Sequence, residues 1–405
     1  MRVSFTRALR GAVVVGTVVG LAACGSSSKP SSSSPTTGGN TPTPSVSASS
    51  FIGDFSAMTA LKSLAASGKG LIGVLLPDTT TSTRYETFDR PYLIKAFQAA
   101  GLTSAQFKVD NAQGSASTMQ TQAEADITQG ASVLLIDALD SGSGAAIESN
   151  ATSKGVKVID YDRLTKGGTA GRTYVSFDNV KVGQLIGQGE IDCIAAWNVK
   201  NPNLLIMDGD PTDNNATLFA EGYNGVLKPK FDSKAYVKVG EPAGTWTPAV
   251  AKTTFDQQYT AHKNINAVVT PNDDNANAVI SSLQGLLKIP AKTFPTTGQD
   301  ASLPGLQNIL KGYQCGTVYK AVYQEAQAAV AVALYLRAGK QPPAALINGK
   351  THDSTSNSDV SSVLLTPVWV TSANMASTVV KDKAVSVTDL CIAAIASACT
   401  TAGIK

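Results

Sequence analysis

Residues 156–163 read VKVIDYDR, an apolar run that ends in a charged pair. The β-branched and aromatic residues of Val156–Tyr161 predict a buried strand, and Asp162 and Arg163 follow it directly. Polar clusters also follow other predicted strands, at Arg84-Tyr85, Asp213-Asn214-Asn215, Asn272-Asp273-Asp274, Gln299-Asp300 and Tyr319-Lys320. Open α/β sheets bind ligands at the carboxyl ends of their strands, so these clusters predict one shared site for a small, hydroxyl-rich molecule.

Strand-like and helix-like segments alternate along the body of the chain. The unbroken apolar run Leu71–Leu76 is typical of a strand buried in a parallel sheet. Further strand-like runs are Gln106–Val109, Val133–Asp137, Val156–Tyr161, Tyr174–Phe177, Asn203–Met207, Ala235–Val239, Ala267–Thr270, Phe294–Gly298 and Gly316–Val318. Helical segments between them predict an α/β fold with two doubly wound parallel-sheet lobes joined by a hinge.

The lobe boundaries follow from where the chain should cross between the sheets. We expect the crossings near residues 167–171, 319–320 and 364–367. Residues 51–170 and 320–365 would then form the N-terminal lobe. Residues 171–319 and 366–405 would form the C-terminal lobe, with a C-terminal extension. A body of about 340 residues is too long for one compact core, which agrees with two lobes.

The N-terminus has the features of a bacterial lipoprotein signal. Arg2, Arg7 and Arg10 precede an apolar run that ends in Leu-Ala-Ala-Cys24. This run is too short to span a bilayer, so we predict a signal peptide over residues 1–23 and lipidation of Cys24. The protein would then be extracytoplasmic and attached to the outer face of the cell membrane through its lipid alone.

Residues 24–50 are rich in Ser, Thr, Pro and Gly and predict a disordered tether. The whole chain has 33 Lys and Arg against 30 Asp and Glu, and the loss of three arginines with the signal leaves the mature body near neutral. This balance argues against nucleic acid as a partner. We expect a monomer.

The chain has five cysteines, and Cys24 is assigned to the lipid. An exported protein can oxidise the other four, which allow three pairings. The short separation favours Cys391 with Cys399, which leaves Cys193 with Cys315; four free buried thiols are the alternative. A zinc site is disfavoured because there is no C-x-x-C motif and the two histidines are far apart in the sequence.

Seven motifs, in order and at matching spacing over roughly residues 70–370, resemble the periplasmic D-xylose-binding proteins. They are VIDYDR (158–163), SFDN (176–179), GDPTDNNA (209–216), NDDNANA (272–278), GQDA (298–301), TVYK (317–320) and LLTP (364–367). These proteins belong to the monosaccharide solute-binding proteins of ABC transporters, in the ribose- and galactose-binding branch. The resemblance implies a type I periplasmic-binding-protein fold that closes on a monosaccharide, favours D-xylose, and presents the sugar to a permease with its ATPase subunit.

The resemblance also assigns ligand-binding roles. Asp162 and Arg163 match the Asp-Arg pair of the family, and Asn272 and Asp300 match its ligand asparagine and aspartate. Trp246 lies in a Gly/Thr/Pro loop at the point where a family tryptophan covers the sugar. The chemistry agrees, because a carboxylate accepts and a guanidinium donates, so together they satisfy adjacent sugar hydroxyls.

Five further residues are candidates with alternatives left open. Arg84 and Tyr85 lie near an Arg-Trp pair of the family, but this loop is a residue longer and has Tyr in place of Trp. One of Asn214 and Asn215 would bind the ligand while the other caps a helix. Lys320, at a predicted crossing, would donate to a hydroxyl; the alternative is a solvated hinge lysine.

Several chemistries lack their motifs. The sequence has no phosphate loop, no G-x-G-x-x-G after a strand and no G-x-S-x-G elbow, so we predict a binding protein without a cofactor rather than an enzyme. The Asp-rich segments lack the spacing of a calcium loop, and we expect no metal. A sugar sensor that feeds a receptor kinase or chemoreceptor is the first alternative, and an extracytoplasmic glycosidase is the second.

Overall fold

The computed structural model describes residues 44–79 and 81–405. The predicted signal peptide and the predicted lipidation site Cys24 lie outside these residues. In the described range the strands are β1 (Leu71–Leu76), β2 (Phe107–Asn111), β3 (Ala131–Ile136), β4 (Lys157–Tyr161), β5 (Thr173–Phe177), β6 (Asn203–Ile206), β7 (Val237–Gly240), β8 (Ala267–Val269), β9 (Thr317–Tyr319), β10 (Gly349–Asp353), β11 (Ser358–Leu365) and β12 (Val368–Val370).

The first lobe is built on one sheet with the strand order β10-β11-β5-β4-β3-β1-β2. Its strands pair in parallel, except that β10 pairs antiparallel to β11 at the edge. Apolar side chains on β1, β3 and β4 are buried on both faces of this sheet, as the unbroken apolar run of β1 predicts.

The second lobe contains the parallel strands β7-β6-β8 and the antiparallel pair β12-β9. Isolated parallel bridges, Val268 with Thr296 and Gln299 with Val318, lie between these two groups of strands. Each face has its own apolar cluster. The predicted α/β class with two parallel-sheet lobes is therefore confirmed.

The helices of the described residues cover both sheets. They are α1 (Ser56–Thr59), α2 (Lys62–Ser67), α3 (Arg90–Ala99), α4 (Ala116–Thr128), α5 (Ser141–Ser153), α6 (Asn179–Ala196), α7 (Asn214–Asp232), α8 (Pro248–Ala261), α9 (Asp273–Gly285), α10 (Leu303–Lys311), α11 (Val322–Arg337), α12 (Val387–Leu390) and α13 (Ala396–Thr401). None of these helices combines the length and the apolar composition that crossing a bilayer requires.

Short polar side chains determine where several helices begin. Ser115, Asp140 and Ser302 each accept a hydrogen bond from the backbone N–H three residues ahead, at the starts of α4, α5 and α10. At the other end of α10, Gly312 has φ +76°, a left-handed conformation that favours glycine and stops the helix. These caps place each helix directly after a strand, so the strand–helix loops gather at one edge of each sheet.

The predicted first crossing is too early in the chain. The boundary at residue 171 assigned β5 to the second lobe, but β5 pairs with β4 and β11 in the first sheet. The loop before β5 is a return within the same sheet, and the chain leaves the first lobe only after Phe177. The other crossings lie at Lys320, between β9 and α11, and between β11 and β12.

The end of the predicted tether is packed on the first lobe. Val46 is buried, the Tyr335 hydroxyl donates to the Pro44 carbonyl, and residues Ala48–Ser50 form a 3-10 turn. The prediction of disorder up to residue 50 is wrong for residues 44–50. Val46 is an apolar side chain within a polar stretch, and its burial attaches this segment to the first lobe. The chain then forms the two short helices α1 and α2.

Two disulfides are present in the described chain. Cys193 on α6 is bonded to Cys315, 122 residues away, and Cys391 is bonded to Cys399. This is the pairing that the cysteine spacing favours. The first links α6 to the segment that leads into β9, and the second closes a short loop in the C-terminal extension.

One acidic side chain is buried in the second lobe without a partner. Glu190 lies on α6 between Ile186 and Ile194, fully buried, and neither carboxylate oxygen has a hydrogen-bond partner in the described structure. Burial in these surroundings raises the pKa of Glu190 well above its usual value. The folded state therefore favours the protonated carboxyl.

We predict that Glu190→Gln stabilises the protein at pH 7. In the unfolded chain Glu190 ionises above about pH 4.3, whereas the fold keeps it protonated, so the wild-type protein loses stability as the pH rises past that value. The amide of Gln does not ionise, so the free energy of unfolding of Glu190→Gln should exceed that of wild type by on the order of 1 kcal/mol or more at pH 7. Thermal unfolding of both proteins from pH 4 to 8 checks this, with Glu221→Gln on the exposed side of α7 as control. A melting-temperature difference that does not grow with pH would contradict the prediction.

Candidate functional site

A small cavity lies between the two lobes. All the predicted ligand-binding residues except Asn214 line it. The lining residues are Ser82, Arg84, Tyr85, Asp162, Arg163, Asp213, Asn215, Phe219, Trp246, Asn272, Gln299, Asp300 and Lys320. The residues of the strand-end clusters therefore come together at this one cavity.

Asp162 is the acceptor at the centre of the first-lobe wall. It follows β4 with φ +57°, a left-handed conformation that is uncommon outside glycine and that recurs at functional sites. Arg84 Nη1 lies 2.9 Å from its Oδ1, and the Tyr85 hydroxyl donates to its Oδ2 at 3.1 Å. Burial opposes the charge, but Arg84, Lys320 and Arg163 outweigh it and hold the pKa of Asp162 at about 2.

Arg84 is held by carboxylates from three parts of the first lobe. Besides Asp162, it pairs with Asp89 at 2.7 Å and with Glu325 of α11 at 2.8 Å. Residues Tyr85–Asp89 form a single turn of π-helix, which brings Asp89 back onto the Arg84 side chain. Burial raises the pKa of Glu325 to about 8, although Arg84 lowers it.

Tyr85 and Arg163 form the next part of this wall. The Tyr85 hydroxyl accepts from Arg163 Nε at 3.2 Å and from Nη2 at 3.0 Å, so it joins Arg163 to Asp162. The guanidinium groups of Arg84 and Arg163 each lie about 5.5 Å from the centre of its ring. Asp137, at the end of β3, lies behind Arg163 at 3.4 Å.

Lys320 connects the two acceptor groups of the cavity. Its ammonium lies 3.6 Å from Asp162 and 3.4 Å from Asp300, at the crossing between β9 and α11. Asp300 has φ +91°, a second left-handed backbone at a predicted ligand residue, and its backbone N–H donates to the Val318 carbonyl. Lys320 is buried, not the solvated hinge lysine of the alternative interpretation.

The second lobe provides the apolar wall. Trp246 and Phe219 meet edge to face, with ring centres 6.5 Å apart. The Trp246 indole N–H donates to Asp213 Oδ2 at 3.0 Å. Asn272 Oδ1 accepts from the Asn275 backbone N–H and so caps α9, while the Asn272 side chain also lines the cavity.

Two sequence assignments on these helices need correction. Asp213, not Asn214 or Asn215, caps α7, because its side chain accepts from the Asn215 backbone N–H. Asn214 does not line the cavity but faces a groove beside Asn179. Successive helical residues point about 100° apart, so only Asn215 can face the ligand side.

The lining residues that the predicted set omits are Ser82, Asp213, Phe219 and Gln299. Phe219 is four residues after Asn215 on α7, a spacing that places both on one helix face and so could have identified it. Asp213 and Gln299 lie within the strand-end clusters. Asp89 and Glu325 do not line the cavity but form ion pairs with Arg84. No local sequence pattern predicts these contacts.

The cleft is closed in this structure. The Thr83 backbone N–H donates to Asp274 Oδ2 at 3.1 Å, and Asn215 Nδ2 donates to the Asp162 carbonyl at 2.9 Å. Arg163 Nε lies 3.2 Å from Asp213 Oδ2. Each of these contacts joins one lobe to the other.

The cavity suits a small neutral molecule with several hydroxyl groups. Carboxylates accept, while guanidinium, ammonium and amide groups donate, and the aromatic wall covers an apolar face. In the described residues no group of three or more His, Cys, Asp or Glu side chains is arranged to hold a metal ion.

Comparison with known proteins places these features in one family. Residues 72–341 match the periplasmic binding protein domain. The D-xylose-binding periplasmic protein of Escherichia coli (strain K12) is 36% identical over 301 residues, which is 73% of this chain and 85% of that protein. The multiple sugar-binding periplasmic receptor ChvE of Rhizobium radiobacter is 34% identical over 327 residues, covering 76% of this chain and 89% of the receptor. These relatives are binding proteins, in agreement with the prediction that this chain is not an enzyme.

Solved structures agree with the sequence relatives. An ABC transporter solute binding protein from Clostridium phytofermentans with bound β-D-glucose has a TM-score of 0.70 at 26% identity, over 79% of this chain and 99% of that one. A carbohydrate transporter solute binding protein from Chloroflexus aurantiacus in complex with D-glucose has a TM-score of 0.69 at 27% identity, over 79% and 98%. The chain therefore belongs to the periplasmic binding protein family, in the group that includes the D-xylose-binding and multiple sugar-binding periplasmic proteins.

Proposed function

We propose that this protein is the extracytoplasmic substrate-binding lipoprotein of an ABC sugar importer. It binds one monosaccharide, D-xylose, between its lobes and delivers it to a membrane permease driven by an ATPase subunit. The observation that carries the proposal is the convergence of Asp162 and Asp300 with Arg84, Arg163 and Lys320 in one small cavity beside an aromatic wall.

The charges of the site support a neutral polyol rather than an ion. Asp162 is already paired with Arg84, and Lys320 lies between Asp162 and Asp300. A sugar hydroxyl both donates and accepts, so it can join such a pair without adding net charge. A charged ligand would leave one member of a buried ion pair uncompensated.

D-xylose is supported by the relatives. The D-xylose-binding periplasmic proteins of Escherichia coli and Haemophilus influenzae are among them, whereas the two solved structures described above hold glucose. Xylose lacks the hydroxymethyl group at C6 and is the smaller of the two.

The placement of the site between the lobes supports a role in transport. A sugar that contacts Asp162 of the first lobe and Asn272 of the second binds the closed state better than the open state, so it shifts the population toward closure. The closed form is the one that a permease would recognise. Lipid at Cys24 would keep the protein at the membrane that holds the permease.

The first prediction from this proposal concerns the ligand. Isothermal titration of residues 44–405 with a panel of pentoses and hexoses should give saturable one-to-one binding, tightest for D-xylose. Tighter binding of glucose would correct the identity of the sugar. An absence of heat with every monosaccharide, for protein shown to be folded, would overturn the proposed function.

The second prediction concerns the two acceptors. Asp162→Ala and Asp300→Ala should each weaken sugar binding by about 10–100-fold or more, because loss of one acceptor leaves buried donors unpaired at about 1–3 kcal/mol. Asp232→Ala, at the exposed end of α7, is the matched control and should bind as wild type. Wild-type affinity in both site variants, measured by the same titration, would contradict the site.

The third prediction concerns the anchor. The full chain expressed in a bacterial host should sediment with membranes and incorporate labelled fatty acid at Cys24, because two acyl chains anchor far more firmly than one. Cys24→Ala should lose the label. Equal labelling of the two proteins would rule out lipidation at Cys24.

A further inference from the structure

Asp213 lines the cavity but has no role in the proposed binding of the sugar. It is buried at the start of α7, and its two carboxylate oxygens make different contacts. Its Oδ1 accepts from the Asn215 backbone N–H at 2.9 Å and so caps the helix. Its Oδ2 lies 3.0 Å from the Trp246 indole nitrogen and 3.2 Å from Arg163 Nε.

These two partners come from opposite walls of the cleft. Trp246 belongs to the apolar wall of the second lobe, whereas Arg163 follows β4 in the first lobe. The single oxygen Oδ2 therefore joins the aromatic wall to the charged wall. The contact with Arg163 can form only when the lobes are together, since the two residues belong to different lobes.

We propose that Asp213 is a positioning residue that couples closure of the cleft to the placement of Trp246 over the bound sugar. The proposal rests on the proposed function and adds a residue to it. Closure brings the Arg163 guanidinium to Oδ2, and that oxygen also holds the indole N–H. The ring is thus fixed against the sugar in the same movement that places Arg163.

The chemistry of the neighbourhood supports this role. A buried tryptophan needs an acceptor for its N–H, and Asp213 is the acceptor given by the structure. A buried carboxylate likewise needs a cation, and Arg163 meets it. Burial raises the pKa of Asp213, while the charge of Arg163 lowers it, so opening the cleft removes the group that stabilises the ionised form.

The substitution Asp213→Asn tests this arrangement with little change in side-chain size. In Asp213→Asn the amide oxygen can keep the helix cap, as Asn is a good N-cap residue. The amide NH₂ then faces two donors, Arg163 and Trp246, in place of an acceptor. Asp210→Asn is the matched control, because Asp210 lies in the same loop and its side chain bonds only within that loop, to Thr212.

The experiment compares wild type, Asp213→Asn and Asp210→Asn. D-xylose dissociation is followed by stopped-flow fluorescence, affinity by titration, and thermal unfolding by calorimetry. The emission of Trp246 is isolated as the difference from Trp246→Phe. We expect Asp213→Asn to raise the dissociation rate at least about tenfold, since loss of a buried charge pair acts on dissociation. We also expect it to shift the Trp246 emission, while Asp210→Asn matches wild type.

The outcomes separate this proposal from the proposed function. If wild type binds no monosaccharide, the proposed function is overturned and this role with it. If wild type binds and Asp213→Asn has the same dissociation rate and emission, the role of Asp213 alone is overturned. A lowered melting temperature with unchanged emission and dissociation rate would show that Asp213 contributes to stability only, which also overturns its positioning role.

Discussion

The buried guanidinium of Arg84 is the group on which the rest of the site depends. It is 2% exposed and is met by Asp89, Asp162 and Glu325, which come from separate parts of the first lobe. A charge removed from water is tolerated only when opposite charges and hydrogen bonds compensate for it. The first-lobe wall is therefore a single network, and Asp162 owes its ionised state and orientation to it.

The same network extends to the hinge and across the cleft. Lys320 stands at a crossing and reaches Asp162 of one lobe and Asp300 of the other. Arg163 reaches Asp213 in the second lobe. The charged groups that line the cavity therefore also make contacts between the lobes, so a molecule bound at these groups would affect the closure of the cleft. Asp162 and Asp300 both have left-handed backbones, which are strained for residues other than glycine. Both strained residues line the cleft.

Sequence patterns predict most of the strands and most of the cavity lining, for a local reason. Each strand is a short apolar run, and the residue after it lies at the carboxyl edge whichever neighbours the strand has. That is why Asp162, Asn272 and Asp300 could be located. The crossing after β5 was misplaced because a glycine-rich turn looks alike whether the chain returns to its own sheet or leaves it.

The sequence by itself determined the α/β alternation, the strand-end residues and the favoured cysteine pairs, since these depend on neighbours along the chain. Only the tertiary structure decided which carboxylates surround Arg84, which of Asn214 and Asn215 faces the cavity, and that Asp213 joins Trp246 to Arg163. The reason is that a buried charge selects its partners by distance in space. Asp162 and Glu325 are 163 positions apart in the chain, and no local pattern encodes that they share one guanidinium.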